Sequence, residues 1–374
     1  MINLNRTVKL GYSEAAALVM LMMGAKAYLG YPRMMAQFGA TAGWLIVLAG
    51  GVISLGLWLG IAALLSRFPG KSLMDINVSV LGQYAGLVVN VLLFLYIMAT
   101  TSLLLRLFSE AVILTALPEV PISAVNLLYL IPVFFAVHLG LEAISRSAYI
   151  SVPFILVGTL AVVLAMYPYW DAKQLLPLLG SGLWPLLKNS LLNISAFSEV
   201  VALAILVPFF SFDAKITKKV GVFCIAFVTV SLVIITVVYL MVFPMPGALE
   251  NLAPFYQMSR TIYLGRFFQR LESVFILFWT FTAFLRLSAG VMISAVVLQR
   301  TLKIPYYRPL LPALAVLMYS LALTPADLLQ AVEVDNILRH DYGWVVTFFI
   351  PLVIWIIALW RKKGNAHAQE NRQG

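Results

Sequence analysis

The sequence predicts an all-α polytopic membrane protein, on the evidence of its composition, its long apolar runs and the placement of its basic residues. Hydrophobic residues make up 62% of the 374-residue chain and charged residues only 11%, whereas soluble proteins contain ~45–50% apolar residues. A soluble domain needs a polar exterior that this composition does not supply. A bilayer removes that requirement, and a spanning helix needs about 20 predominantly apolar residues.

Apolar runs divide the chain into ten predicted transmembrane helices. We number them spans 1 to 10, with approximate bounds 11–38, 43–66, 84–116, 122–140, 147–168, 184–210, 217–243, 271–299, 309–324 and 343–360. Together they form one predicted transmembrane domain, residues 1–360, and the polar segment 361–374 is predicted to be a disordered cytoplasmic tail. The connection 244–270 combines Pro, Gly and aromatic residues, which favours a short interfacial helix.

The basic residues predict the orientation of these helices, because Lys and Arg concentrate in cytoplasmic loops. With the N-terminus inside, fifteen Lys and Arg residues fall on the cytoplasmic side. Six fall on the opposite side, namely Lys173, Lys188, Arg260, Arg266, Arg270 and Arg339. Both termini are therefore predicted to be cytoplasmic. The cytoplasmic loops explain the net charge of +10, so no nucleic-acid partner is predicted.

The sequence contains no pattern typical of enzymes or metal sites. It has no Gly-rich phosphate loop followed by Lys-Ser/Thr and no Ser/His/Asp arrangement. Its one cysteine, Cys224, and its three histidines, His138, His340 and His367, lack metal-ligand spacing. We therefore predict a protein that is not an enzyme and binds neither cofactor nor metal.

Ten helices favour two five-helix repeats, about 11–168 and 184–360. Transporter folds often consist of inverted repeats whose first helices are broken near the membrane midplane. Span 1 has candidate breaks at Gly24, Gly30 and Pro32. Its counterpart, span 6, carries a polar cluster of Asn193, Ser195, Ser198 and Glu199 before Pro208. Such interruptions need protein or a water-filled cavity around them.

Each candidate in the two breaks has more than one interpretation. Gly24 and Gly30 are consistent with unwinding that exposes backbone groups to a ligand, and equally with close helix packing through small residues. Glu199, near the middle of span 6, is a carboxylate that would bind an ammonium group, carry a proton or pair with Lys26. A protonated Glu199 bonded to a neighbouring helix is the structural alternative.

Charged and aromatic residues on spans 3 and 8 are further candidates. Arg106 and Glu110 are four residues apart near the external end of span 3, which predicts a structural ion pair. Arg286, near the middle of span 8, needs a carboxylate, carbonyls or water, and the sequence leaves its partner open. On the same span, Trp279 and Thr282 would line a cavity or pack against other helices.

Several motifs resemble a known family in their order and spacing. After span 2 comes "SRFPGKSLMDINVSVLGQYAG", span 3 ends in "LPEVP", and span 4 leads into "GLEAISR". "LLPLLGSGLWPLLKNSL" precedes span 6, and "APFYQMSRTIYLGRFFQRLESVFILFW" leads into span 8. These motifs resemble those of the B subunits of endospore germinant receptors, the GerAB-type spore germination permeases of the amino acid–polyamine–organocation superfamily. Nearly the whole chain takes part in the resemblance.

The resemblance implies a LeuT-type fold and a role in spore germination. Such subunits lie in the inner membrane of bacterial spores beside an A subunit and a lipoprotein C subunit, and they are thought to recognise small germinants, commonly amino acids. The sequence departs from the family pattern at two places. Lys26 stands where small or hydroxyl residues are usual, and "FSEV" replaces the commoner F-x-G-x-E spacing.

From these observations we predict a central ligand site between spans 1, 3, 6 and 8. The predicted lining residues are Gly24, Ala25, Lys26, Ala27, Gly30, Tyr96, Thr100, Asn193, Ser195, Phe197, Ser198, Glu199, Trp279 and Thr282. Lys26 and Glu199 are expected to pair across it, because the two broken helices of an inverted repeat face each other. The ammonium of Lys26 would replace a coupling cation of sodium-dependent relatives or neutralise Glu199 until ligand arrives, and a permanent structural ion pair is the alternative.

The predicted function is a permease-like germinant receptor subunit that binds a small germinant, an amino acid, within the membrane lipid. A proton-coupled amino-acid transporter and an ion or water conduit remain alternatives, because fold does not determine function.

Overall fold

The computed structural model describes residues 9–262 and 271–364, and all of its regular elements in these ranges are helical apart from one isolated backbone bridge. The predicted first repeat contains α1 (Tyr12–Gly24), α2 (Tyr31–Gly39), α3 (Gly43–Arg67), α4 (Leu73–Leu81), α5 (Gln83–Thr115), α6 (Ile122–Leu139) and α7 (Leu141–Ala165). The second contains α8 (Leu183–Leu192), α9 (Val201–Leu206), α10 (Ala214–Val242), α11 (Pro254–Thr261), α12 (Leu271–Leu302), α13 (Leu311–Ala322), α14 (Leu328–Asp335) and α15 (Ile350–Trp360).

Every predicted span coincides with helical structure. Among the described residues, eight helical segments are long and apolar enough to cross a membrane, and a shorter apolar helix occupies Arg308–Ala322. Span 1 is not one of these eight segments. Its first half, α1, has only 13 residues before the break, whereas a spanning helix needs about 20. Its second half, α2, is separated from α3 by a backbone break at Ala40, which has a φ of 49°, and by a 3₁₀ turn over Ala40–Ala42.

Two predictions about connections are refined by the structure. The connection after span 7 contains the short helix α11, as expected, whereas residues 263–270 lie outside the described residues. Within the predicted tail, residues 365–374 also lie outside the described residues.

The predicted start of span 10 at residue 343 is wrong, because its helical segment already begins at Leu328. Arg339 therefore belongs to a membrane segment and not to an external loop.

Helix ends follow local capping chemistry. Ser72 begins α4 with a capping box, in which its Oγ accepts from the Asp75 N–H at 3.3 Å while Asp75 Oδ2 accepts from the Ser72 N–H at 3.2 Å. The carboxylate of Asp213 caps α10 by accepting from the Ile216 N–H at 2.9 Å. These caps satisfy backbone donors that the first helical turn leaves unpaired.

Helices α3 and α10, one from each predicted repeat, pack closely against each other. A Cβ atom added at Gly221 would overlap the indole of Trp58, and one added at Gly51 would overlap the side chain of Thr229. Small residues at such positions let membrane helices approach closely enough to gain dispersion contacts. The packed scaffold leaves the two broken helices at the centre of the protein.

Candidate functional site

The break in span 1 is a single 3₁₀ turn, Ala25–Tyr28, between α1 and α2. Leu29 is extended, and α2 starts at Tyr31 with Pro32 in its first turn, where a missing N–H is tolerated. A Cβ atom added at Gly24 or Gly30 would have no neighbour within 4 Å. Neither glycine therefore serves close helix packing, which favours the interpretation that they allow the break.

The break in span 6 is longer and consists of a 3₁₀ segment, Asn193–Val200, between α8 and α9. Its Ser and Asn side chains favour such irregular backbone, because they form local hydrogen bonds that compete with a regular helix. Two of them instead tie the break to other helices. Asn193 Oδ1 accepts from the Tyr31 hydroxyl at 3.1 Å, and Ser195 Oγ accepts from the Trp344 backbone N–H at 2.9 Å.

Three buried charges meet where the two breaks face each other. Lys26 Nζ lies 3.0 Å from Glu199 Oε2, and Arg286 Nη2 lies 3.1 Å from Glu199 Oε1. The side chains are at most 10% exposed, and Lys26 also donates to the backbone carbonyl of Ala196. We call Lys26, Glu199 and Arg286 the central charge cluster. It brings together the pair expected from the sequence and supplies the partner of Arg286 that the sequence left open.

A second ion pair lies beside this cluster on the last helical segment. Arg339 donates to both oxygens of Asp335, from Nε at 2.7 Å and from Nη2 at 2.8 Å. The residues Asn336–Asp341 form a π-helical stretch, a local widening of the helix that is frequent at functional sites. Sequence reasoning missed this pair, because the polar residues between 333 and 341 interrupt the apolar run.

A cavity of about 120 Å³ with a charged lining, which we call the main cavity, lies between the two breaks and the last helical segment. The predicted residues among those that line it are Lys26, Gly30, Asn193 and Ser195. Arg33, Asp335 and Arg339 line the same cavity, and so does Leu252 from the connection that precedes α11. The cavity therefore extends to the connection that precedes α11.

A small inner cavity and an apolar cavity account for most of the other predicted residues. The inner one, about 30 Å³, is lined by Tyr96, Thr100, Ser198 and Glu199, together with Arg286 and Arg339. The apolar one, about 270 Å³, is lined by Gly24, Ala25, Ala27 and Thr282, together with Tyr28 and aliphatic residues of α7 and α10. The structure thus divides the predicted lining residues between three separate spaces.

Two predicted residues line none of these three cavities. Phe197 is fully buried in the core, and Trp279 is buried against Phe108 and Phe275, with ring centroids 6.0 and 6.2 Å away. Both side chains therefore pack against other buried residues instead of lining a cavity.

Arg106 and Glu110 form the expected ion pair, with an N–O distance of 2.8 Å. Arg106 also donates to the Pro325 carbonyl at 2.8 Å, so the pair joins α5 to the α13–α14 connection.

The chemistry of this site is that of recognition. In the described part of the chain, no group of three or more His, Cys, Asp or Glu side chains has the geometry of a metal site. The polar groups that line the main cavity are ammonium, guanidinium, carboxylate, imidazole, amide and hydroxyl groups, and such groups bind and orient small polar molecules. Whether the predicted residues bind a ligand stays a prediction.

Known structures share the fold of this protein. The Eremococcus coleocola manganese transporter, in complex with an aromatic bis-isothiourea substituted compound, matches 94% of this chain and 82% of its own, with a TM-score of 0.63 at 15% identity. Mhp1, a nucleobase-cation-symport-1 family transporter, matches 90% of this chain and 79% of its own, with a TM-score of 0.63 at 14% identity. MhsT in complex with L-phenylalanine matches 92% of this chain and 88% of its own, with a TM-score of 0.62 at 16% identity. The chain is a helical membrane protein with the LeuT fold, which confirms the predicted fold class.

Sequence comparison then identifies the family. The model of the Spore_permease family, described as spore germination protein, matches residues 9–330, and this chain belongs to that family. Spore germination protein YndE of Bacillus subtilis (strain 168) is 24% identical over 96% of this chain and 99% of its own length. Spore germination protein KB of the same organism is 25% identical over 87% of this chain and 89% of its own length. The resemblance found in the sequence motifs is therefore confirmed.

Proposed function

We propose that this chain is the ligand-binding, permease-like subunit of a spore germinant receptor and that its ligand is a small amino-acid-type germinant. The main cavity carries this proposal, because it lies between both helix breaks and combines polar and charged groups with a small volume. Its 120 Å³ lies well below the ~300–1,000 Å³ of pockets for drug-sized ligands. A cavity of this size favours a small ligand over a drug-sized one.

Signalling would follow from a shift between conformations. A ligand shifts an equilibrium only as far as its affinities for the two states differ. Groups from span 1, span 6 and the last helical segment line one cavity, and Ser195 connects two of these elements by accepting from Trp344 at 2.9 Å. A ligand in the main cavity would therefore contact several elements that can move relative to one another.

The wider setting of the proposal comes from the family. We place the chain in the inner membrane of the bacterial spore, with both termini cytoplasmic and the main cavity open to the opposite side. Its partners would be a germinant receptor A subunit and a lipoprotein C subunit, surrounded by membrane lipid.

A pair of glycine variants tests whether the main cavity receives the germinant. Gly30 lines the cavity and Gly56 is exposed on α3, and a Cβ atom added at either would have no neighbour within 4 Å. Gly30→Leu would therefore fill the cavity, whereas Gly56→Leu adds the same side chain elsewhere. Spores with this receptor as their only germinant receptor are exposed to a mixture of the twenty amino acids, and dipicolinate release is measured. We expect loss of the response in Gly30→Leu alone.

The outcomes separate the candidate functions. A normal response of Gly30→Leu spores, with the chain present at normal abundance, contradicts ligand binding in the main cavity. Uptake of labelled amino acids by proteoliposomes that contain this chain alone favours the transporter over the receptor.

A further inference from the structure

The main cavity has an excess of positive charge. The charged side chains that line it, within the described residues, are Lys26, Arg33, Arg339 and Asp335. Three cations and one carboxylate leave a net charge of +2. Behind Lys26, the charges of Glu199 and Arg286 cancel each other, so the inner groups do not alter this balance.

Each oxygen of the two nearby carboxylates already accepts a hydrogen bond from a cation of the chain. Glu199 accepts from Lys26 through Oε2 and from Arg286 through Oε1. Asp335 accepts from Arg339 through Oδ1 and Oδ2. A cationic group of a ligand would therefore meet only carboxylates whose charge a cation of the chain already offsets.

The cations, in contrast, retain donors. An ammonium group has three N–H bonds, and Lys26 donates to Glu199 and to the carbonyl of Ala196, which leaves one. A guanidinium has five, of which Arg339 uses two for Asp335 and Arg33 uses one for the Leu249 carbonyl at 2.5 Å. These remaining N–H groups are the strongest recognition elements in the cavity, because Arg binds carboxylates through two parallel hydrogen bonds.

We infer that the natural ligand carries a net negative charge, as a small dicarboxylic acid or an acidic amino acid does. A partly buried excess of positive charge is costly, and a bound anion would offset it where the effective dielectric constant is low. A neutral zwitterion compensates less of this charge, and a cation adds to it. This inference rests on the proposed function, since it specifies the ligand class of the same cavity.

The chain offers a built-in probe for the test. Cys224 is its only cysteine and is fully buried, so a thiol-reactive fluorophore reports the unfolding of the purified full-length chain. Glutarate, L-glutamate, L-glutamine and L-lysine are compared at equal concentration and ionic strength. L-Glutamine matches L-glutamate in shape but lacks one negative charge. We expect glutarate or L-glutamate to raise the midpoint of thermal unfolding by roughly 2–5 °C, through mass action on the folded state, and the other two to raise it less.

A matched pair of arginine variants locates the effect. Arg33→Gln removes a cation from the cavity at a half-buried position, and Arg308→Gln removes one from an exposed position outside it. Both variants lower the net charge of the chain by one. We expect Arg33→Gln to weaken the binding of the stabilising anion about tenfold, the loss of one charge-assisted contact, and Arg308→Gln to leave it unchanged.

Two results would overturn the inference. One is that neither glutarate nor L-glutamate stabilises the chain more than L-glutamine and L-lysine do. The other is an equal effect of Arg33→Gln and Arg308→Gln. Stabilisation by L-glutamine or L-lysine alone rejects the charge assignment but leaves the proposed function intact, which the Gly30→Leu spores test separately.

Discussion

The central charge cluster and the Arg300–Asp75 pair have nearly the same geometry in very different surroundings. The N–O distances are 3.0 and 3.1 Å in the cluster and 2.9 Å between Arg300 and Asp75. The cluster side chains are at most 10% exposed, whereas those of Arg300 and Asp75 are 28% and 42% exposed. Water screens the second pair and solvates either partner if the other is lost. Distance alone therefore does not indicate how much stability depends on an ion pair.

The largest effect is expected for Glu199→Gln. This change leaves Lys26 and Arg286 buried beside each other without a counter-charge, and breaking a buried ion pair typically costs about 3–5 kcal/mol. The thermal unfolding midpoint of the purified chain, followed through Cys224, measures the loss. A variant as stable as the unchanged chain would contradict the view that the cluster depends on its carboxylate.

A smaller effect is expected for Lys26→Met, because Glu199 keeps Arg286 as its partner. The sequence alone predicts that the double variant Lys26→Met/Glu199→Gln recovers stability, as an isolated pair would. Since Arg286 remains unpaired in the double variant, we now expect only partial recovery. The double-mutant cycle should give a coupling energy of about 0.5–3 kcal/mol between Lys26 and Glu199. Losses that simply add would show that the two side chains do not interact.

The smallest effect is expected for Asp75→Asn in the exposed pair. An exposed ion pair contributes about 0–1 kcal/mol, and an Asn side chain can still accept a hydrogen bond at the start of α4. The same unfolding assay should show a shift close to the error of the measurement. A destabilisation as large as that of Glu199→Gln would invalidate the comparison between buried and exposed pairs.

Individual residues show which parts of the site could be predicted from the sequence and which could not. Lys26 and Glu199 were identifiable because a charge in the middle of an apolar span is costly and needs a partner. Arg339 and Asp335 were missed because they precede the apolar run of span 10. Thr282 and Ala27 were expected to line the central ligand site but line the apolar cavity instead, since the direction of a side chain depends on how its helix is rotated.

The amino-acid sequence by itself determined that this is a helical membrane protein, where its apolar helical runs lie and where the two breaks fall. These properties follow from local composition, because long apolar runs partition into a bilayer and glycines or polar clusters interrupt them. Only the tertiary structure decided that Glu199 has two cationic partners and that Arg33 and Arg339 join Lys26 at one cavity. Those contacts depend on the rotation and packing of helices far apart in the chain. Because a net charge at a site is a sum over such contacts, the inferred preference for an anionic ligand could be drawn only from the folded protein.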